Sequence, residues 1–287
     1  MLVNLKEILS AAQKERFAVP AFNTSSNMIL TGVMEECVAQ NAPVIIAIHP
    51  DELSFVKDSF VKAVIDEANH APIPVCIHLD HGASFEQVMH AIAVGYTSVM
   101  IDASRQPLED NIAITQKVVE AAHFANVSVE AELGTIGTMD VTADGSAADQ
   151  IIYTDPQVAK EFVEKTGVDA LAIAIGTRHG LYPKSIRPKL RLDILDEITS
   201  LIDTPLVLHG GSDNPDEEIA AAARRGVCKI NISSDIKNPF YQKCREILKD
   251  ETLREPNMIY PQCIATLKEV VRHKVRLFGC DGKASLY

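Results

Sequence analysis

The chain has 287 residues, of which 47% are hydrophobic and 23% charged, and its formal net charge is −12. That length holds one large domain or two small ones, and the acidity argues against nucleic acid as a partner. No apolar run approaches the roughly 18 residues of a membrane span, the opening MLVNLKEILSAAQKERF has no signal-peptide core, and no two of the six cysteines form a C-x-x-C, so a cytoplasmic protein with reduced thiols is expected.

Eight short apolar runs follow one another along the chain: FAVPAF (17–22), PVIIAI (43–48), PVCIHL (74–79), TSVMID (97–102), VSVEAE (127–132), ALAIAIG (170–176), PLVLHG (205–210) and VCKINI (227–232). Each is apolar on both faces, as a parallel strand covered on both sides must be. The segments between them have helical spacing; in 108–123, Leu108, Ile112, Thr115, Val118, Val119 and Ala122 share one face. Eight strand–helix units with no linker or change in composition predict a single (β/α)8 barrel over residues 1–287. Segment 133–153 is a Gly- and Asp-rich loop, long enough to expect a functional role. Residues 235–276 are expected to add helices that cover the barrel.

Catalytic groups of such a barrel lie at the C-terminal ends of its strands, so the end of each run carries the most information. The third run leads into His78-Leu79-Asp80-His81, the fourth into Asp102-Ala103-Ser104 and the fifth into Glu130-Ala131-Glu132. The sixth leads into Gly176-Thr177-Arg178-His179-Gly180, the seventh into His209-Gly210-Gly211-Ser212-Asp213 and the eighth into Asn231-Ile232-Ser233-Ser234-Asp235. His81, His179 and His209, on three strand ends, suit one metal ion with an open fourth position, the arrangement of catalytic zinc. Asp80 is placed either to shuttle a proton beside that ion or to orient a histidine. Asp102 and Glu132 suit a second cation position or the orientation of the histidines. The glycines and serines after the seventh and eighth runs, with Gly180 and Lys184 nearby, suit a phosphate held by backbone N–H groups.

Together, VPAFN (19–23), HLDH (78–81), MIDAS (100–104), SVEAELG (128–134), AIAIGTRHGLY (172–182), PLVLHGGSD (205–213), KINIS (229–233) and LKEVVRHKV (267–275) identify a resemblance over nearly the whole chain. The sequence resembles the class II, metal-dependent ketose-bisphosphate aldolases, which act on fructose and tagatose bisphosphates. The resemblance implies a catalytic zinc held by His81, His179 and His209, and a second divalent or monovalent cation at Asp102 and Glu132. It implies that Asp80 exchanges a proton with the C4 hydroxyl or the incoming aldehyde. Asn23, Gly180, Lys184, Gly210, Gly211, Ser212, Asn231, Ile232, Ser233 and Ser234 match substrate-binding positions for dihydroxyacetone phosphate. Asp140, in the long loop, falls where the family carries a glutamate that accepts the carbon-bound proton. A homodimer or homotetramer is expected.

Two departures concern the far end of the substrate. Glu255-Pro256-Asn257 stands where the family has an Asp-Pro-Arg-like segment, and His49 stands where a Ser or Thr follows the second strand. Both remove expected partners of a second phosphate. The sequence therefore predicts aldol cleavage of a ketose 1-phosphate to dihydroxyacetone phosphate and an unphosphorylated aldehyde. Two alternatives are a bisphosphate aldolase drawing on Arg105, Arg178, Arg187 or Arg254, and a non-catalytic barrel subunit.

Overall fold

A computed structural model describes residues 1–138, 151–183 and 187–287. In chain order its first half comprises β1 (Leu2–Val3), α1 (Leu5–Glu15), β2 (Val19–Asn23), α2 (Asn27–Ala39), β3 (Val44–Ile48), α3 (Pro50–His70), β4 (Val75–Gly82), α4 (Phe85–Val94), β5 (Ser98–Ile101), α5 (Leu108–Phe124), β6 (Ser128–Leu133) and β7 (Gly137–Thr138). Then follow α6 (Pro156–Thr166), β8 (Ala170–Ile173), β9 (Arg178–His179), α7 (Leu192–Leu201), β10 (Leu206–Leu208), α8 (Asp216–Arg224), β11 (Val227–Ile232), α9 (Ser234–Ile247) and α10 (Pro256–Leu277). None of the described helices is long and apolar enough to cross a membrane.

The strands β4-β3-β2-β11-β10-β8-β6-β5 pair in parallel, and β4 pairs again with β5, so the sheet closes on itself. The fold is a (β/α)8 barrel, and each of the eight predicted runs supplies one of its strands. β1 extends the ladder at the base of β4, with Leu2 opposite Val75. β8 and β10 are shorter than the runs that predict them. Gly176 and Gly210 have φ of +125° and +63°, so the chain turns out of the ladder there and into the barrel mouth.

Local signals start and stop the helices. Asn4 and Glu7 cap α1 reciprocally, at 2.9 and 2.8 Å, and Ser26 and Ser84 cap α2 and α4. Asp155 with Pro156 starts α6, and Gly167 ends it. Helices α9 and α10 form the predicted C-terminal cover. Helix α10 lies across α2, where Gly32 faces Leu267 and Arg272 holds the buried Glu36 through two bonds of 2.8 and 3.1 Å. All six cysteines are free, and all but Cys244 are buried.

Candidate active site

Residues two apart on a strand share a face, and three strands use this spacing to build two polar layers inside the barrel. The upper layer, toward the mouth, contains Asp80, Glu132 and Asn231. The lower layer contains His78, Glu130 and Lys229, each fully buried.

Strand β4 breaks the alternation at its end. The pairing with β5 runs from His78 opposite Ser98 through Leu79 opposite Val99, then jumps to Gly82 opposite Ile101. His81 within this bulge has φ +52°, a left-handed conformation that costs a non-glycine residue roughly 1–2 kcal/mol. In return, both Asp80 and His81 line the mouth, whereas successive strand residues ordinarily point to opposite faces.

His81, His179 and His209 bring ligating atoms within 4.8 Å of one another. His81 Nε2 and His209 Nδ1 face each other at 2.9 Å. The outer nitrogens of both rings are held from behind: His81 Nδ1 by Asp102 at 2.8 Å and His209 Nε2 by Glu130 at 2.7 Å. Burial opposes a charge on His81, but Asp80 and Asp102 outweigh it and push its pKa up to about 10. Burial and the charge on His81 push His179 down to about 3. The three rings point nitrogens at a common centre. Such a set fits a divalent cation, because imidazoles with fixed outer nitrogens are suited ligands.

Asp102, Glu132 and His81 form a second set with the same spacing. Glu132 Oε2 is buried without a hydrogen-bond partner, and burial, reinforced by the charge of Asp102, raises its pKa to about 8. A buried carboxylate of this kind suits a further cation. Asp102 meanwhile accepts from the backbone and hydroxyl of Ser104 at 3.1 and 2.7 Å, so it also fixes the ring of His81.

Asp80 is 4% exposed. Asn23 donates to one of its oxygens at 2.7 Å and Asn231 to the other at 2.9 Å. Burial alone would raise its pKa, but His81, His209 and Lys229 together hold it well below the usual carboxylate range. Asn23 and Asn231, expected from the sequence as substrate contacts, thus also orient the carboxylate.

A cavity of about 570 Å³ opens above these groups. Its walls include Asn23, Gly180, Gly210, Ser212, Asn231, Ser233 and Ser234 of the expected substrate positions. Ile232 is fully buried in the barrel wall, and neither it nor Gly211 lines the cavity. The Gly211 N–H is donated to the Asn231 carbonyl at 3.0 Å. Gly210 is required where it stands: a Cβ there would lie 2.6 Å from the Arg178 carbonyl, so glycine lets the His209 turn approach the strand of His179. That strand, β9, pairs with β7 at the start of the long loop, and a bridge between Thr135 and Ile152 closes the loop base. Asp140 and Lys184 lie outside the described residues.

The cavity lining also contains His49, Asp51, Glu52, Ser104 and Arg105. Asn257 is exposed on the first turn of α10 and does not line the cavity, so within one chain it does not occupy the far end of the site as the sequence suggested. Arg105 lines the cavity, whereas Arg178, Arg187 and Arg254 do not.

The lower layer was not singled out from the sequence. Lys229 reaches both Glu130 oxygens at 2.8 and 3.0 Å and lies 3.5 Å from His78 Nε2, while His78 Nδ1 meets Ser98 at 2.8 Å. Burial pushes His78 down to about 3, aided by Lys229. Burial opposes the charge of Glu130, but Lys229, His78 and His209 together hold its pKa below the usual carboxylate range, and an ionised carboxylate only accepts. His209 therefore donates from Nε2 and keeps a lone pair on Nδ1 toward His81. Lys229→Met leaves Glu130 buried without its counter-charge, which should lower unfolding stability by about 3–5 kcal/mol. Urea denaturation of the metal-free protein measures this, and a loss below about 1 kcal/mol would contradict the charge balance described.

The profile of the family "Fructose-bisphosphate aldolase class-II" matches residues 3–283. A fructose-bisphosphate aldolase from Staphylococcus epidermidis is 39% identical over 289 residues, covering 99% of each chain, and one from Staphylococcus aureus is equally similar. Among solved structures, the YdjI aldolase from Escherichia coli K12 superposes with a TM-score of 0.86 at 32% identity, over 99% of this chain and all of that one. A fructose-bisphosphate aldolase from Campylobacter jejuni, at 23% identity, shares the fold with a TM-score of 0.82 over 98% of this chain and 97% of that one.

Proposed function

Because the chain belongs to the class II fructose-bisphosphate aldolase family and is an aldehyde-lyase, we propose that residues 1–287, as one catalytic domain, cleave a ketose 1-phosphate to dihydroxyacetone phosphate and an unphosphorylated aldehyde. His81, His179 and His209 would hold a zinc ion, and Glu132 with Asp102 a second cation. A bound divalent ion supplies a Lewis acid that polarises the substrate carbonyl. The observation that supports this most strongly is the convergence of the three imidazoles within 4.8 Å beside an ionised, doubly held Asp80.

Each residue has a defined task. Asp80, fixed by Asn23 and Asn231, takes the proton from the C4 hydroxyl during cleavage and returns it during condensation. Asp102 and Glu130 keep His81 and His209 in the orientation and tautomer that ligation needs. Gly180, Gly210, Ser212, Ser233 and Ser234 surround the phosphate end. Asp140, in the long loop, exchanges the carbon-bound proton, and Lys184 adds a cation to the phosphate.

The aldehyde end is read from His49, which caps α3 and accepts from Asp51 N at 3.2 Å, and from the acidic Asp51 that follows it. A distal phosphate would meet the Asp51 carboxylate there and lose a charge-assisted bond of roughly 1.5–3 kcal/mol, which is about one to two factors of ten in affinity. Measured kcat/KM should favour fructose 1-phosphate over fructose and tagatose bisphosphates by about tenfold or more. The place of Arg105 in the cavity wall favours a second reading, a bisphosphate aldolase. On that reading the wild type prefers bisphosphates, and Arg105→Gln abolishes the preference.

A further inference from the structure

Among the described residues lining the cavity, Arg105 and Lys237 are the only lysines or arginines, against the carboxylates of Asp51, Glu52, Asp80, Asp102 and Glu132. A phosphate monoester brings roughly −1.5 to −2 further charges at pH 7, so the few cations present must be used well. Lys237 stands one helical turn after Ser233 on α9, and its Nζ donates to Ser233 Oγ at 3.0 Å. It is therefore already attached to the phosphate end. The same Nζ is also paired with Glu52, in a bridge whose side chains are only 26% and 16% exposed.

Glu52 is carried on a separate piece of helix. Its second oxygen accepts from His49 N at 3.3 Å, closing the cap of α3. Five residues later, Lys57 has φ +65° and ψ 171° inside the helix, in a region almost reserved for glycine. The tip over residues 50–56 is thus divided from the body of α3 by a strained break, which allows Glu52 to lose its partner without unwinding the rest.

We propose that Lys237 is a ligand of the substrate phosphate and that Glu52 is its competitor, holding the ammonium until a phosphate displaces the carboxylate. This rests on the mouth being a site for phosphorylated sugars. A lysine carries three donors, so Lys237 can keep Ser233 while exchanging Glu52 for a phosphate oxygen. The exchange trades a monoanion for a group of higher charge and frees the α3 tip, which lines the same cavity.

Calorimetric binding of dihydroxyacetone phosphate, with inorganic phosphate as a second probe, tests the exchange on zinc-loaded wild type, Lys237→Met, Lys237→Arg and Glu52→Gln. Glutamine retains the capping bond of Glu52 while removing its charge. Lys237→Met should weaken binding by about tenfold or more, with Lys237→Arg recovering part of the loss. Glu52→Gln should tighten binding, and only when Lys237 is present. An ion pair that merely supports the fold would move both variants in the same direction. Weakening in both Lys237→Met and Glu52→Gln, or no change in either, overturns the proposal; equal zinc content and thermal unfolding verify that the variants are folded. A wild type that binds neither probe overturns the aldolase reading as well, whereas tight wild-type binding with unaffected variants overturns the exchange alone.

Discussion

His179→Ala and His209→Ala should each purify with little bound metal and with activity lost. The two side chains come from different parts of the chain, His179 on β9 and His209 just after β10. Removing a group that only orients a ligand typically costs 10–100-fold in metal affinity, so removing a ligand should cost about a hundredfold or more. Metal content measured after dialysis against a weak chelator, together with cleavage assays at saturating zinc, separates ligand loss from misfolding. His179→Ala is the cleaner variant. His209 is fully buried and bonded to Glu130 at 2.7 Å, so its loss also disturbs the lower layer. Full metal content and normal turnover in both variants would refute the assignment of these histidines.

Asp80→Ala should keep its metal and lose most of its turnover. The carboxylate lies 3.9 Å from both His81 Nε2 and His209 Nδ1, near the proposed ion yet committed to two asparagine amides. A positioned general acid–base group contributes about 10²- to 10⁴-fold in rate, and kcat should fall by that much. Exchange of the carbon-bound proton of dihydroxyacetone phosphate with solvent should persist, since a different group performs that step. A near-normal kcat would remove Asp80 from the chemistry. Metal loss in this variant would instead make it a structural support. Asn23→Ala and Asn231→Ala provide a graded companion: each leaves one Asp80 oxygen without its donor, so each should reduce kcat less than loss of the carboxylate.

Much of this was legible in the sequence because a parallel strand covered on both faces is a short apolar run, and eight such runs with helical spacers leave few alternatives. The ends of those runs also contained the histidines and Asp80. What the sequence concealed is what strand pairing decides. The bulge that aims Asp80 and His81 into one mouth appears only in the shift against β5. The short ladder that attaches the loop base to the strand of His179 joins residues about 40 positions apart. His78, Glu130 and Lys229 lie within the apolar runs, where hydrophobic patterning alone does not set them apart. Their spacing of two from Asp80, Glu132 and Asn231 was available as a signal, since inward-facing residues recur at that period. Asn257 is the opposite case: the motif position points to the site, but within one chain the residue is exposed on α10 and does not line the cavity.

The most direct test is condensation by the purified enzyme. Dihydroxyacetone phosphate and a panel of unphosphorylated aldehydes are incubated with the enzyme as isolated, after stripping with a chelator, and after zinc is returned. A ketose 1-phosphate should form with the first and third preparations and not with the second. Product formation undiminished by stripping, or no product from zinc-loaded enzyme with any aldehyde in the panel, would contradict a metal-dependent aldolase acting on unphosphorylated aldehydes.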